Sequence, residues 1–245
     1  TEEEVLRKVE KLIKDLLDVL RDLLRASEEV VREALRVLEE LIERDHMVLH
    51  EYVNAAGITS RESVESALAK NEERLKKILE DADRVLDKWR RLLEELSKKA
   101  KAVLDEVRKR LEEIKREVPE TEKLRTLLTI LEEILRALEK IIRDILRINE
   151  RLLEKLKRIL ERLRETNREI DERIRKLVEE ARGGSEEKLR RDLTETKKEL
   201  EKRHEDLRRE LEKLLRDYKR ELEEIERALE EIEKTLKRRA DETRR

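Results

Sequence analysis

The chain has 245 residues, 52% of them charged and 37% hydrophobic, with one Pro, three Gly and no Cys. This composition is typical of long helices or coiled coils rather than of a mixed fold, and the regular spacing of the apolar residues argues against disorder. The net charge of −2 is made of interspersed signs, so we expect no nucleic-acid partner. No signal peptide opens the chain and no apolar run approaches the ~20 residues of a membrane span, so we expect soluble expression of the cytoplasmic type and no membrane partner.

Helix-breaking residues divide the chain into four segments of nearly equal length. Helices are predicted over residues 2–56, 61–117, 120–181 and 186–243. The turns between them fall at Gly57–Ser60, Val118–Pro119 and Gly183–Ser185. Equal helices joined by short turns predict an all-α protein, a single domain over residues 1–245 that forms a long antiparallel up-down-up-down four-helix bundle with left-handed coiled-coil-like packing.

Each turn also carries residues that stop one helix or start the next. Gly57 can end the first helix in the left-handed conformation, and Pro119 fits the first turn of the third helix. Thr59 with Glu62 is predicted to cap the start of the second helix, and Ser185 the start of the fourth. At the start of the third helix, Thr121 or Glu120 supplies the polar group.

One stretch across the first predicted helix and turn uses residue types that are rare elsewhere. Residues 44–59 read RDHMVLHEYVNAAGIT and contain the only Met, two of the three His and one of the two Tyr. Over its whole length this stretch resembles the eleventh strand of green fluorescent protein in the version used as a complementation tag. The resemblance implies a ten-strand barrel fragment as partner, with Glu51 beside the chromophore. The residues that it assigns to barrel binding are Met47, Val48, Leu49, His50, Glu51, Tyr52, Val53 and Asn54.

The same stretch fits two periodicities. With period 2 it alternates as a strand does, Met47 and Leu49 pointing one way and Val48 and His50 the other. With period 3.6 it continues the apolar stripe of the first helix, which arrives from Leu38, Leu41 and Ile42. In the helical form we expect four residues to face the other helices: Val48, Leu49, Tyr52 and Ala56. More exposed in that form would be Met47, His50, Glu51 and Asn54.

Apolar stripes at spacings of three and four run along the third and fourth predicted helices. The stripes of the first and third helices are widened by further apolar neighbours: Leu6, Ile13, Leu17, Val31, Leu127, Ile134, Ile141 and Leu153. The fourth stripe is narrower, which predicts that the fourth helix is the least deeply packed. The wider stripes are either enclosed within the chain or available to a second copy, so a homo-oligomer is one expected partner arrangement.

Scarce polar residues interrupt these stripes at matching heights. Trp89, Asn149 and Tyr218 share one level, with Ser27 near it, and this predicts a buried polar network that fixes the register of the helices rather than adding stability. A second level joins Asn71, Thr166 and Asn167 to the region of Asp45 and His46. The alternative is that Asn167 and Asp45 point outward.

The chain lacks the parts of a catalytic or metal site. His46 and His50 are four residues apart, but no third ligand accompanies them and the strand resemblance accounts for both. His204 alone is interpreted as a network or boundary residue. Without Cys or a Gly-rich phosphate loop, we expect no enzyme, no cofactor and no metal.

The remaining sequence, with low residue diversity and regular caps, resembles computationally designed helical bundles, in particular latch-and-cage switches. The resemblance implies that residues 44–59 are held as helix until an opening signal, such as a designed key helix, frees them for the barrel fragment. It departs from that pattern because those switches carry the peptide in a terminal latch. The alternative is a designed structural scaffold or oligomer building block that carries the stretch as a passive tag.

Overall fold

The computed structural model describes the backbone of residues 2–55, 61–117, 121–180 and 186–244. Side chains are described for the same residues except 2, 5, 6, 30, 44–55, 61–64, 67, 123, 186 and 240–244. The described backbone consists of four helices without a strand, which confirms the all-α helical bundle. The helices are α1 (Glu2–Ala55), α2 (Arg61–Glu117), α3 (Glu122–Glu180) and α4 (Glu186–Arg244).

The start of α3 is fixed by a threonine cap. Thr121 Oγ1 accepts a hydrogen bond from the backbone N–H of Leu124 at 3.3 Å, and its carbonyl accepts one from the N–H of Arg125 at 3.0 Å. Thr121 therefore satisfies donors that the first turn would otherwise leave unpaired, and α3 begins at Glu122 rather than at residue 120. The other predicted stop and cap residues lie outside the described side chains: Gly57, Thr59, Glu62, Pro119, Glu120 and Ser185.

The predicted apolar stripe of α3 is buried at every position from Leu124 to Leu163. Of its flanking residues, Ile134, Ile141 and Leu153 are also buried, whereas Leu127 is half-buried. On the narrower stripe of α4, Leu189 and Leu214 are only half-buried. Spacings of three and four place these residues on one helical face, and burial of that face supplies most of the stability of long helices.

The contacts of the chain divide it into two compact units. Unit 1 comprises Thr1–Glu29, Trp89–Arg151 and Arg216–Arg245, and unit 2 comprises Val30–Lys88 and Leu152–Leu215. All four helices contribute a stretch to each unit.

Ion pairs show the antiparallel direction of α2 and α3 in unit 1. Arg108 pairs with Glu139, and one heptad later on α2 Lys115 pairs with Glu132, one heptad earlier on α3. The side-chain hydrogen bond from Lys115 to Glu132 raises the pKa of the lysine. These side chains are about half exposed, so each pair contributes little free energy of folding.

Unit 2 shows the same arrangement. Asp83 Oδ2 lies 2.5 Å from an Arg164 guanidinium nitrogen, and Glu72 pairs with Arg175. Moving forward along α2 from Glu72 to Asp83 moves the partner back along α3 by the same number of residues. The antiparallel α3 and α4 are linked in the same way by Arg162 with Glu210, Glu169 with Arg203, and Arg173 with Glu199.

We predict that Thr121→Ala lowers the free energy of unfolding by about 1 kcal/mol, because the Leu124 N–H loses its acceptor. Thr129→Ala is the matched control on the same helix: its exposed hydroxyl donates only to the carbonyl of Arg125, at 2.9 Å. This control should be neutral or slightly stabilising, since Ala is the better helix former. Guanidinium unfolding checks both variants, and equal effects would contradict the capping role.

Candidate functional site

The backbone of residues 44–55 is helical and continuous with the rest of α1. These are the residues that carry the resemblance to a strand. A helix rises 1.5 Å per residue and a strand about 3.3 Å, so the two conformations exclude each other. The side chains assigned to barrel binding, Met47 to Asn54, lie outside the described side chains, as does residue 56, and which of them face the other helices stays a prediction.

The ends of the helices show which residues of α2 are level with this stretch. Only residues 56–60 separate α1 from α2, and so short a connection joins antiparallel neighbours. In an antiparallel pair, residues equally far from the turn lie at the same level. Leu68 of α2 is therefore level with Val48 of α1, and Asn71 of α2 is level with Asp45 of α1. Leu68 is 2% exposed and Asn71 is 6% exposed, so both face the interior.

An apolar cluster surrounds Leu68 in unit 2. It draws on α2, α3 and α4, and Leu177 and Leu189 pack against its edge. Its buried members are Leu68, Ile170, Ile174, Val178, Leu193 and Leu200. We call it the apical cluster. It lies beside the ion pairs of Glu72 with Arg175 and of Arg173 with Glu199, which link the same three helices.

Polar residues interrupt the core of unit 2 next to this cluster. We call Asn71, Thr166, Asn167 and Thr196 the polar layer, since the helix ends place them at similar heights and all four are buried. Thr196 Oγ1 donates to the carbonyl of Asp192 at 2.9 Å. Within the part of the chain that the structure describes, Asn71 Oδ1 accepts no hydrogen bond. The alternative that Asn167 points outward is wrong, whereas Asp45 and His46 lie outside the described side chains.

Unit 1 contains a connected polar network. Tyr218 Oη donates to Asn149 Oδ1 at 2.5 Å, and Asn149 Nδ2 donates to Ser27 Oγ at 3.1 Å. Ser27 Oγ in turn donates to the carbonyl of Leu23 at 2.8 Å. Tyr218, Asn149 and Ser27 are buried, and the chain of bonds joins α4, α3 and α1.

Trp89 does not join this network. Its side chain is fully buried in unit 1, but within the described residues its indole Nε1–H has no hydrogen-bond partner. The Asn149 Oδ1 that such an N–H would donate to already accepts the hydrogen bond from Tyr218. Ser27 Oγ accepts from Asn149 Nδ2, a donor that an indole N–H cannot pair with, so Ser27 and not Trp89 completes the network. Matching heights alone could not distinguish the two.

Burial raises the pKa of the Tyr218 phenol well above its ordinary value of 10.0, because the charged form would lose hydration. The Ser27 hydroxyl acts in the opposite direction, and the nearby Glu28 and Glu221 add to the rise. The unfolded chain therefore releases this proton first as the pH increases. The associated stability is fully present below pH 10.0 and is lost as the pH climbs toward the folded-state pKa.

We predict that the free energy of unfolding of the wild type falls above pH 10 by up to about 1.4 kcal/mol per pH unit more than that of Tyr218→Phe. The difference isolates Tyr218 because both proteins carry the same lysines and the same Tyr52. Guanidinium unfolding at pH 9, 10 and 11 measures it. Parallel pH dependences would show that the phenol is not held protonated by the fold.

A double-mutant cycle tests the bond between Asn149 and Tyr218. Tyr218→Phe leaves Asn149 Oδ1 without its donor, and Asn149→Leu leaves the buried phenol without its acceptor, each at a cost of about 1–3 kcal/mol. The double variant removes both groups, so its loss should be smaller than the sum by about 1 kcal/mol or more. We expect it to keep near wild-type stability but to lose its single register, seen as more than one oligomer in sedimentation. Additive losses would rule out the coupling.

Metal-binding groups and membrane spans are both absent from the described residues. They contain no group of three or more His, Cys, Asp or Glu arranged to hold a metal ion, and none of the described helices is long and apolar enough to cross a membrane. His204 is 3% exposed and occupies a core position on the α4 stripe, whereas His46 and His50 lie outside the described side chains. Comparisons of the chain with family models, curated proteins and solved structures find no match.

Proposed function

We propose that this chain is a designed helical-bundle switch that holds a fluorescent-protein strand sequence, residues 44–59, as helix and releases it to complement a ten-strand barrel fragment. The observation that carries the proposal is the helical backbone of residues 44–55 as the last turns of α1. In that conformation the backbone N–H groups of these residues, and their C=O groups before the last turn, bond within the helix, so they are not free to pair with strands of a barrel.

The consequence for binding is thermodynamic competition. The barrel fragment can bind only the opened state, and its apparent affinity is the intrinsic affinity reduced by the fraction of molecules that are open. A stretch that is closed 99% of the time therefore binds about a hundredfold more weakly than the free peptide, a difference of ~2.7 kcal/mol. Any partner that stabilises the opened state, such as a key helix that replaces α1 against α2 and α4, restores this affinity.

The position of the stretch supports a switch over a passive tag. A detection tag functions best on a flexible linker, whereas here the helix continues without a break from Leu38, Leu41 and Ile42, which are 3%, 0% and 1% exposed. Poor helix formers such as Val48, Val53 and Asn54 each cost up to ~0.7 kcal/mol relative to Ala, so their helical state depends on packing. If the experiment below contradicts the switch, the chain is a scaffold that carries residues 44–59 as a passive tag.

Fluorescence recovery on mixing with the ten-strand fragment tests the proposal. We predict that Leu68→Ala accelerates recovery about tenfold or more, because a buried Leu→Ala change level with the stretch weakens the closed state by more than 1.4 kcal/mol. Leu75 is level with Leu41, outside the stretch, so Leu75→Ala should have a smaller effect.

Leu111→Ala is the matched control. Leu111 is 3% exposed and lies in unit 1, so the same substitution should leave the recovery rate unchanged although it lowers global stability. The free peptide of residues 44–59 sets the upper limit of the rate. If the intact chain recovers as fast as this peptide and none of the substitutions changes the rate, the stretch is displayed and not caged.

A further inference from the structure

We propose that the polar layer of unit 2 sets the point at which α1 opens, so that residues from Asp45 onward detach as a local unit while Leu38, Leu41 and Ile42 stay packed. The boundary itself follows from the described residues of unit 2. Only its consequence, that the opening releases one intact strand sequence, rests on the proposed function.

Asn71 is the residue of the polar layer whose hydrogen bonding is incomplete among the described residues. Its side chain is 6% exposed, and within the described part of the chain its Oδ1 accepts no hydrogen bond. A buried acceptor without a donor destabilises the closed state relative to any state in which water reaches it. Because Asn71 is level with Asp45, detachment of α1 from that residue onward is the smallest opening of this helix that hydrates the amide oxygen.

From the polar layer toward the middle of α1, the described side chains that α1 buries are apolar. Leu38, Leu41 and Ile42 are almost fully buried, and Leu75, level with Leu41 on α2, is 6% exposed. An opening that continued past the layer would have to expose these apolar side chains to water. The favourable stopping point is therefore between Ile42 and Asp45, where the strand sequence begins.

The helices α2, α3 and α4 also have contacts with one another that do not involve the end of α1. The apical cluster draws its described members from these three helices, including Leu68, Ile174 and Leu193. The ion pairs described between helices in unit 2 join α3 to α2 or to α4, and the Arg203 guanidinium lowers the pKa of the Glu169 carboxyl through a side-chain hydrogen bond. These contacts remain when the end of α1 leaves, so the opening need not unfold unit 2.

Amide hydrogen exchange of the full chain at pH 7, without any partner, tests the boundary. We expect residues 45–55 to exchange through an opening that leaves residues 34–43 protected. Asn71→Leu removes the unpaired acceptor, so it should slow exchange of residues 45–55 about tenfold, within a range of about 5- to 150-fold, and leave residues 34–43 unchanged. Asn71→Asp, which buries a charge, should accelerate exchange of the same residues and no others.

Asn149→Leu is the matched control, because it makes the same substitution at a buried asparagine whose hydrogen bonds are formed and which lies in unit 1. It should not change the ratio of exchange rates between residues 45–55 and 34–43. If the two stretches exchange together in the wild type, or if Asn71→Leu and Asn71→Asp leave residues 45–55 unaffected, the boundary is not at the polar layer.

Adding the ten-strand fragment separates this inference from the proposed function. If both hold, Asn71→Leu slows fluorescence recovery by the same factor by which it slows exchange. If exchange behaves as expected but no fluorescence returns with any variant, the proposed function fails and the boundary at Asn71 stands.

Discussion

The backbone hydrogen bonds of the last turns of α1 are the constraint on which the behaviour of residues 44–55 depends. N–H and C=O groups within a helix bond to their own segment, whereas those of a strand bond to a neighbouring strand, so one residue cannot form both sets of bonds at once. The free energy that separates the two states comes from packing rather than from local preference, since the stretch is rich in poor helix formers. Unit 2 therefore decides how readily this end of α1 opens.

The buried asparagines of the two units, Asn149 and Asn71, differ in their hydrogen bonding. In unit 1, Tyr218, Asn149 and Ser27 satisfy one another, and a misaligned register would leave them unpaired. In unit 2, Asn71 is buried with an unpaired oxygen, which costs stability without adding a bond that specifies register. The first arrangement favours one well-defined packing. The unpaired oxygen of Asn71 weakens the closed state locally, beside residues 44–55, whose sequence fits both a helix and a strand.

Spacing alone was sufficient to predict the helices and the buried stripes, since burial of one helical face imposes the periodicity of three and four that the sequence displays. Thr121 was recognised as a candidate cap, but only the geometry showed that α3 starts after it. Trp89 was wrongly assigned to the network: it is buried as expected, but its indole N–H has no partner among the described residues. Residues 44–55 fit both periods, so no local pattern could decide between helix and strand; the structure continues α1 through them, after the buried Leu41 and Ile42.

The magnitudes favour a short opening over a long one. Detachment of α1 beyond the polar layer would expose Leu38, Leu41 and Ile42, and at about 1.5–3 kcal/mol for each buried side chain this adds roughly 5–9 kcal/mol. Such a state is about a thousand- to a millionfold rarer than one that stops at Asp45. A strand-accepting partner would therefore encounter the short opening almost every time, and a key helix need displace only the end of α1.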